Sequence, residues 1–191
     1  MGLNDPFFVR YGRYMWDLCH GDLGTSYKTR APVGEEVWAR LPNTFKLAAT
    51  STVIAIVLAL PLGVIAAIKQ NTLFDGVSMF ISLLGISIPI FWFGLLLILL
   101  FAVNLGWFPV SGADQGIRSL VLPSFALGFQ HMAAIARTTR SSMLETIRQD
   151  YIRTVRAKGL PEREVIIDHA LRNALIPTTT VIGLQMGGML G

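Results

Sequence analysis

The sequence predicts an all-α, multi-span integral membrane protein, and three observations predict it. Of its 191 residues, 52% are hydrophobic and only 15% charged, against roughly 25% charged in an ordinary soluble domain. The mean hydropathy is +0.54, and the apolar residues come in blocks separated by the charges. The net charge of +4 sits at the edges of those blocks, as at a membrane boundary, and so does not point to nucleic acid. Sixteen basic and twelve acidic side chains are too few to coat a globule of this size. A soluble single-domain enzyme and a disordered tail are thereby excluded. So is a disulfide scaffold, because Cys19 is the lone cysteine.

The first 42 residues read as an external segment with short interfacial helices. Phe8, Tyr11, Met15 and Leu18 repeat at three- and four-residue steps, giving a short amphipathic helix. Gly21-Asp-Leu-Gly24 breaks it, and a second short helix is expected over Val33–Leu41, closed by Pro42. This pair packs on the outer membrane face or offers a docking surface to an external partner. Residues 43–191 then form the transmembrane domain.

Its charge-free intervals run Leu47–Ile68, Gly76–Val103 and beyond, and Ser119–Ala136. A bilayer core needs about 20 helical residues, so the first two are long enough and the third is marginal. Pro123, Gln130 and His131 in the third predict a helix facing protein or water. A fourth apolar run begins near Ala174 and reaches Gly191, so the C-terminal end reads as cut, and an external first segment with no span before it makes the N-terminal end read as cut too. Met1–Pro6 is neither a signal peptide nor a span. Pro61 and Pro89 are expected to bend their helices, Pro89 as a gating kink or as fixed shape. Gly183, Gly187 and Gly191 recur every four residues, which allows close helix approach. Trp107 and Phe108 stand where an aromatic belt is expected.

The segment 137–177 is the most informative. Between Arg137 and Arg172 it carries eight positive charges, which places residues 137–173 in the cytoplasm and, counting back, residues 1–42 outside. Leu144, Ile147, Tyr151 and Val155 form one apolar stripe, expected on a single helix. Gly159 stops that helix, and Pro161 starts another with Glu162 and Glu164 in its first turn. Ile167, Leu171, Ala174 and Leu175 make a second stripe, and Pro177 marks the return to the membrane. The unit is a helix, a glycine corner and a helix, a suitable lever between a partner and the adjoining spans. A solvated basic loop would need neither stripe nor corner.

Tyr151-Ile-Arg-Thr-Val-Arg-Ala-Lys-Gly159-Leu-Pro-Glu-Arg163, followed by His169-Ala-Leu-Arg-Asn-Ala-Leu-Ile-Pro177, resembles the signature of binding-protein-dependent ABC importer permeases. The likeness is to the first permease subunit of the dipeptide, oligopeptide and nickel branch. It extends to Gly21-Asp-Leu-Gly-Thr-Ser26, Arg40-Leu-Pro-Asn-Thr44, Pro61-Leu-Gly63, Phe108-Pro-Val-Ser-Gly112 and Arg137-Thr-Thr-Arg-Ser-Ser-Met143. The resemblance implies a fold of about six spans, of which roughly four are seen here. It implies a coupling segment that docks on a cytoplasmic ATPase, carried over to Tyr151, Arg153, Thr154, Arg156, Ala157, Lys158, Gly159, Leu160, Pro161, Glu162 and Arg163. His169, Arg172, Asn173 and Pro177 close the motif. Arg153-Thr-Val155 departs from the family's Glu-Ala-Ala, and Pro161 stands where the branch often has Ser.

By the same resemblance the chain is a transport subunit, not an enzyme. It moves peptides inward across a prokaryotic cytoplasmic membrane by alternating access, or nickel or another small solute. The implied partners are a second permease subunit, two cytoplasmic ATPase subunits and an external substrate-binding protein. ATP and Mg belong to the ATPases, since no phosphate-binding loop occurs here. The spans read from the sequence contain no Asp or Glu, which leans against an ion-coupled secondary carrier. The remaining rival is a lipid-binding membrane anchor or sensor. His20, His131 and His169 lack metal-ligand spacing. Gln130 and His131 are expected to hydrogen-bond between helices or, with Pro89, to line the substrate path.

Overall fold

The computed structural model describes residues 6–112 and 116–190. The reading of Met1–Pro6 therefore lies, apart from Pro6, outside the described residues, as does Gly191. The described chain is helical, with one isolated antiparallel bridge between Thr25 and Pro32. It divides into two compact units, Met1–Lys46 and Leu47–Gly191.

In the first unit α1, Phe7–Cys19, forms where the three- and four-residue repeat predicts it. Gly21 and Gly24 then take positive φ of 81° and 75°, and Gly24 N–H donates to Asp22 Oδ1 at 2.8 Å. That turn ends the helix as expected. The second helix corrects an expectation. There is no separate Val33–Leu41 helix, because α2 runs unbroken over Val33–Ile68, through both Pro42 and Pro61. Interior proline removes one backbone bond, and a helix this long keeps its other bonds on both sides. Glu35 and Glu36 favour its first turn.

In the second unit α2 buries one stripe of small residues: Ala48, Ser51, Thr52, Ala55, Ala59, Gly63, Ala66 and Ala67. Small residues let helix backbones approach closely without a driving force from water. The central partner is α5, Ile117–Ile147, which also buries Ser124, Ala126, Gly128, Ala133 and Ala136. A Cβ on Gly63 would stand 2.7 Å from Ala136 O, and one on Gly128 would stand 2.8 Å from Ser51 O. The buried hydroxyls satisfy themselves four residues back: Ser51 to Leu47 O, Thr52 to Ala48 O, Thr139 to Ile135 O. Thr50 Oγ1 and Ser124 Oγ add a bond between α2 and α5 at 2.6 Å. The third charge-free interval thus faces protein, as its polar residues predict.

The second interval is not one continuous helix. It forms α3, Leu73–Ser87, and α4, Ile90–Leu97, the latter continuing as a π-helical stretch Ile98–Asn104. The two halves meet at an angle of 101° around Pro89. Proline cannot donate to the preceding turn, and it pushes Ile88 out of the helical region, to ψ 124°. So Pro89 breaks the helix and does not merely bend it. α3 lies against α5 so closely that a Cβ on Gly85 would meet Phe129 O at 2.5 Å. α4 packs on α5 through Phe93, whose ring lies 5.0 Å from that of Phe129.

Among the described residues two helices, α2 and α5, are long and apolar enough to cross a membrane, and the bent α3–α4 pair makes a third candidate. The expected fourth run forms α8, Arg172–Leu190, which passes Pro177 without a break. It does not meet the same measure of length and apolarity. Its first two residues are Arg172 and Asn173, and Thr178, Thr179, Thr180 and Gln185 lower its hydropathy.

Candidate functional site

The segment between α5 and α8 is folded as helix, glycine corner and helix. The corner resides in backbone chemistry. α6, Asp150–Ala157, ends with Lys158 as its cap, and Gly159 follows at φ 80°, the left-handed conformation that only glycine adopts readily. Gly159 N–H donates to Arg156 O at 2.9 Å. Pro161 then precedes α7, Glu162–Glu164, and Glu164 N–H and Val165 N–H both donate to Pro161 O. Glu162 and Glu164 occupy the first turn as expected.

Two details differ from the sequence reading. The stripe Leu144, Ile147, Tyr151, Val155 is not on one helix, because α5 ends at Ile147 and α6 begins at Asp150. All four nevertheless pack on one core of Met143, Ile152, Val165, Ile166, Ala170 and Ala174. In the second stripe Ile167 is exposed, while Val165 and Ile166 are buried. The cause is a π-helical stretch, Val165–Leu171, whose wider turn shifts the buried face relative to 3.6-residue spacing.

The motif residues separate into an inner and an outer set. In the inner set Tyr151 and His169 are half-buried and Asn173 reaches them from an exposed position: Asn173 Nδ2 donates to Tyr151 Oη at 2.6 Å and to His169 O at 3.1 Å, and Tyr151 Oη donates to His169 O at 3.3 Å. This knot ties α6 to the start of α8, so Tyr151, His169 and Asn173 hold the segment's shape. Leu160 is half-buried against the same core. Outside, Arg153, Thr154, Arg156, Ala157, Lys158, Gly159, Pro161, Glu162 and Arg163 are exposed, as are Arg172 and Pro177.

Arg156 and Glu162 face each other across the corner in a two-pronged ion pair. Arg156 Nε donates to Glu162 Oε2 at 3.1 Å, and an Arg156 Nη donates to Glu162 Oε1 at 2.7 Å. The guanidinium holds the Glu162 carboxyl below the usual carboxylate range, and the carboxylate raises Arg156 in return. Both charges are thus committed to each other. The charges left for a partner are those of Arg153, Lys158 and Arg163, with Arg153 only loosely held by Asp150 at 3.6 Å.

The membrane-embedded candidates lie elsewhere. Gln130 and His131 are half-buried on α5, and the Gln185 side chain of α8 makes a polar contact with His131. Pro89 is exposed at the α3–α4 break. Among the described residues, no group of three or more His, Cys, Asp or Glu is placed to hold a metal ion.

Sequence reasoning missed one feature. Asp75, read as lying outside the second interval, belongs to the first turn of α3 and is only 6% exposed. Both its oxygens accept from Arg140 of α5 at 2.7 Å. Asp75 Oδ2 also accepts from Asn71 N–H at 3.1 Å. A second bond joins the same two regions, from an Arg148 Nη to Gln70 Oε1 at 3.2 Å. The available signal was a lone acid and an arginine at the ends of separate apolar runs, which does not identify a pairing 65 residues apart.

The family described as the binding-protein-dependent transport system inner membrane component matches residues 59–191. The chain is 46% identical to the dipeptide transport system permease protein DppB of Alkalihalophilus pseudofirmus, over all of this chain and 66% of that protein. It is 44% identical to the oligopeptide transport system permease protein AppB of Bacillus subtilis, over all of this chain and 63% of that protein. A glutathione transport system permease protein, GsiC of Salmonella paratyphi A, is 42% identical over all of this chain and 62% of its own length. The chain therefore spans less than two thirds of these curated relatives.

Proposed function

The chain belongs to the family of binding-protein-dependent transport system inner membrane components, and from that membership we propose that it is a permease subunit of an ATP-driven importer of short peptides. The observation that carries the reading is the helix–glycine corner–helix unit. It is cored by Ile152, Val165 and Ile166 and exposed along Arg153–Arg163. A unit packed inside and basic outside is a handle: stiff enough to transmit a push, and charged for a partner that provides one.

In this mechanism the segment 137–173 lies in the cytoplasm, supported by its eight positive charges. The outer set, Arg153, Thr154, Ala157, Lys158, Gly159, Pro161 and Arg163, meets a cytoplasmic ATPase subunit. Arg156 and Glu162 keep the corner closed for that contact. ATP and Mg bind to the ATPase pair, and their closure displaces α6. The push passes to α8 through the Tyr151–Asn173–His169 knot and to α5 through the short link between Ile147 and Asp150. A second permease subunit completes the path, lined on this side by α5 and α8 around Gln130 and His131. A binding protein delivers peptide at the outer face, where residues 1–42 receive it. Short peptides are the substrate class because the similar proteins include dipeptide, oligopeptide and glutathione permeases.

The test is uptake of a labelled dipeptide by the assembled transporter in proteoliposomes. Uptake should require ATP and survive an uncoupler. Gly159→Pro, which cannot take a positive φ, should weaken assembly or abolish substrate-stimulated ATP hydrolysis. Uptake that follows the proton gradient, or that Gly159→Pro leaves unchanged, overturns the reading.

A further inference from the structure

A buried ion pair is poor support for stability, because a well-packed apolar pair of similar volume usually does as well or better. The Asp75–Arg140 pair is largely withdrawn from solvent, with the Arg140 side chain 26% and the Asp75 side chain 9% exposed, so it too calls for another reason, and its position supplies one. Asp75 ends the corner between α2 and α3. It accepts the amide of Asn71, itself at φ 61°, and grips α5 through both prongs of Arg140. Two turns further along α5, Arg148 holds the same corner through Gln70. Arg148 caps α5, and α6 begins two residues later. The corner is thus fastened at two points to the part of α5 that leads into the motif segment.

Along the rest of their length α2, α3 and α5 meet at glycines: Gly63 and Gly128 between α2 and α5, Gly85 between α3 and α5. These contacts leave no room for sliding. α4 differs. It is joined to α3 only through Ile88 and Pro89, at the 101° break, and it rests on α5 through side chains, with Leu97 packed among Leu122 and Ala126 and aromatic rings 5.0–6.2 Å apart, and not through a glycine contact of backbones.

We propose that Asp75 and Arg140 are positioning residues that lock the α2–α3 corner to α5, so that a displacement of α6 moves α2, α3 and α5 as one block and is taken up at the break before α4. The pair is ionic because its bidentate geometry fixes a register as well as a distance. This rests on the permease reading above, and its failure is distinguishable from the failure of that reading.

The experiment measures distances between spin labels in the assembled transporter, with Cys19→Ser as background, in lipid nanodiscs with and without ATP. Leu73, Glu145 and Leu95 are exposed label sites on α3, α5 and α4. The 73–145 distance should stay the same in both states while the 73–95 distance changes. A 73–145 distance that changes as much as the 73–95 distance overturns the proposal. If neither distance responds to ATP while ATP is hydrolysed, the break before α4 takes up nothing and the proposal is likewise overturned; the permease reading fails separately, if peptide uptake by the same complex does not require ATP.

A second arm uses Asp75→Leu with Arg140→Met, which removes both charges and leaves neither buried alone. Peptide moved per ATP should fall by about threefold or more, the scale of a coupling residue. The 73–145 distance should then become dependent on nucleotide. A double variant with wild-type stoichiometry overturns the proposal, since a purely structural pair predicts that rescue. Should this variant fail to assemble, the distances in the Cys19→Ser background decide alone.

Discussion

Glycine does opposite work in two regions of this molecule. At Gly63, Gly85 and Gly128 the backbone is helical and the neighbours are other backbones, 2.5–2.8 Å from where a Cβ would stand. At Gly159 nothing lies within 4 Å, and the residue is there for its φ of 80°. The membrane body therefore needs glycine for closeness, and the motif segment needs it for conformation. Where α2, α3 and α5 meet at these glycines, added volume is felt. The segment is an exposed corner whose shape depends on one dihedral angle, a three-residue knot and an ion pair.

The largest effect that separates the two regions is expected from Gly85→Leu or Gly128→Leu. Overpacking a close backbone contact is destabilising by about 3 kcal/mol or more, and thermal unfolding in detergent should show it as lost folded protein. Gly159→Ala should leave that melting nearly unchanged. It strains the left-handed corner by roughly 1–2 kcal/mol and should appear as reduced ATPase association. If Gly159→Ala melts the body and Gly85→Leu does not, the division between the regions is wrong.

Much of this was legible in advance. The apolar runs, the amphipathic repeat of α1 and the pairing of Gly159 with Pro161 all follow from rules acting over a few residues. What escaped depends on contacts distant in sequence or on a changed helical period. Pro42 reads as a stop, yet α2 continues past it because one lost bond does not end a helix supported on both sides. Ile167 reads as buried at 3.6-residue spacing, and the wider turn over Val165–Leu171 exposes it. Asp75 and Arg140 read as boundary charges, because nothing local shows that α3 and α5 lie side by side. Arg156 and Glu162 read as docking residues, and the fold turns them towards each other.

That last pair gives the next smaller effect. Glu162→Gln removes an exposed ion pair, with about 0.5 kcal/mol at stake, so ATPase affinity should fall by only two- to threefold. Arg153→Ala or Lys158→Ala, which removes an uncommitted charge, should weaken docking more. The pH dependence follows from the lowered Glu162 carboxyl. A depressed carboxylate contributes fully above its ordinary range and loses that contribution only as pH falls through the lowered value. Docking should therefore be flat around neutral pH and weaken only in acid, and a midpoint near neutrality would assign it to another group. The smallest effect is expected at Gly187→Ala on α8, where nothing lies within 4 Å. Folding of this chain should not register it, and any loss would report an intermolecular contact.

The most direct measurement places a cysteine at Lys158, in the Cys19→Ser background, and asks from which side a membrane-impermeant maleimide reaches it. The handle described here predicts labelling in inside-out vesicles stripped of ATPase, protection when ATPase is added back, and no labelling in intact cells. Labelling in intact cells, or labelling that added ATPase does not change, would contradict it.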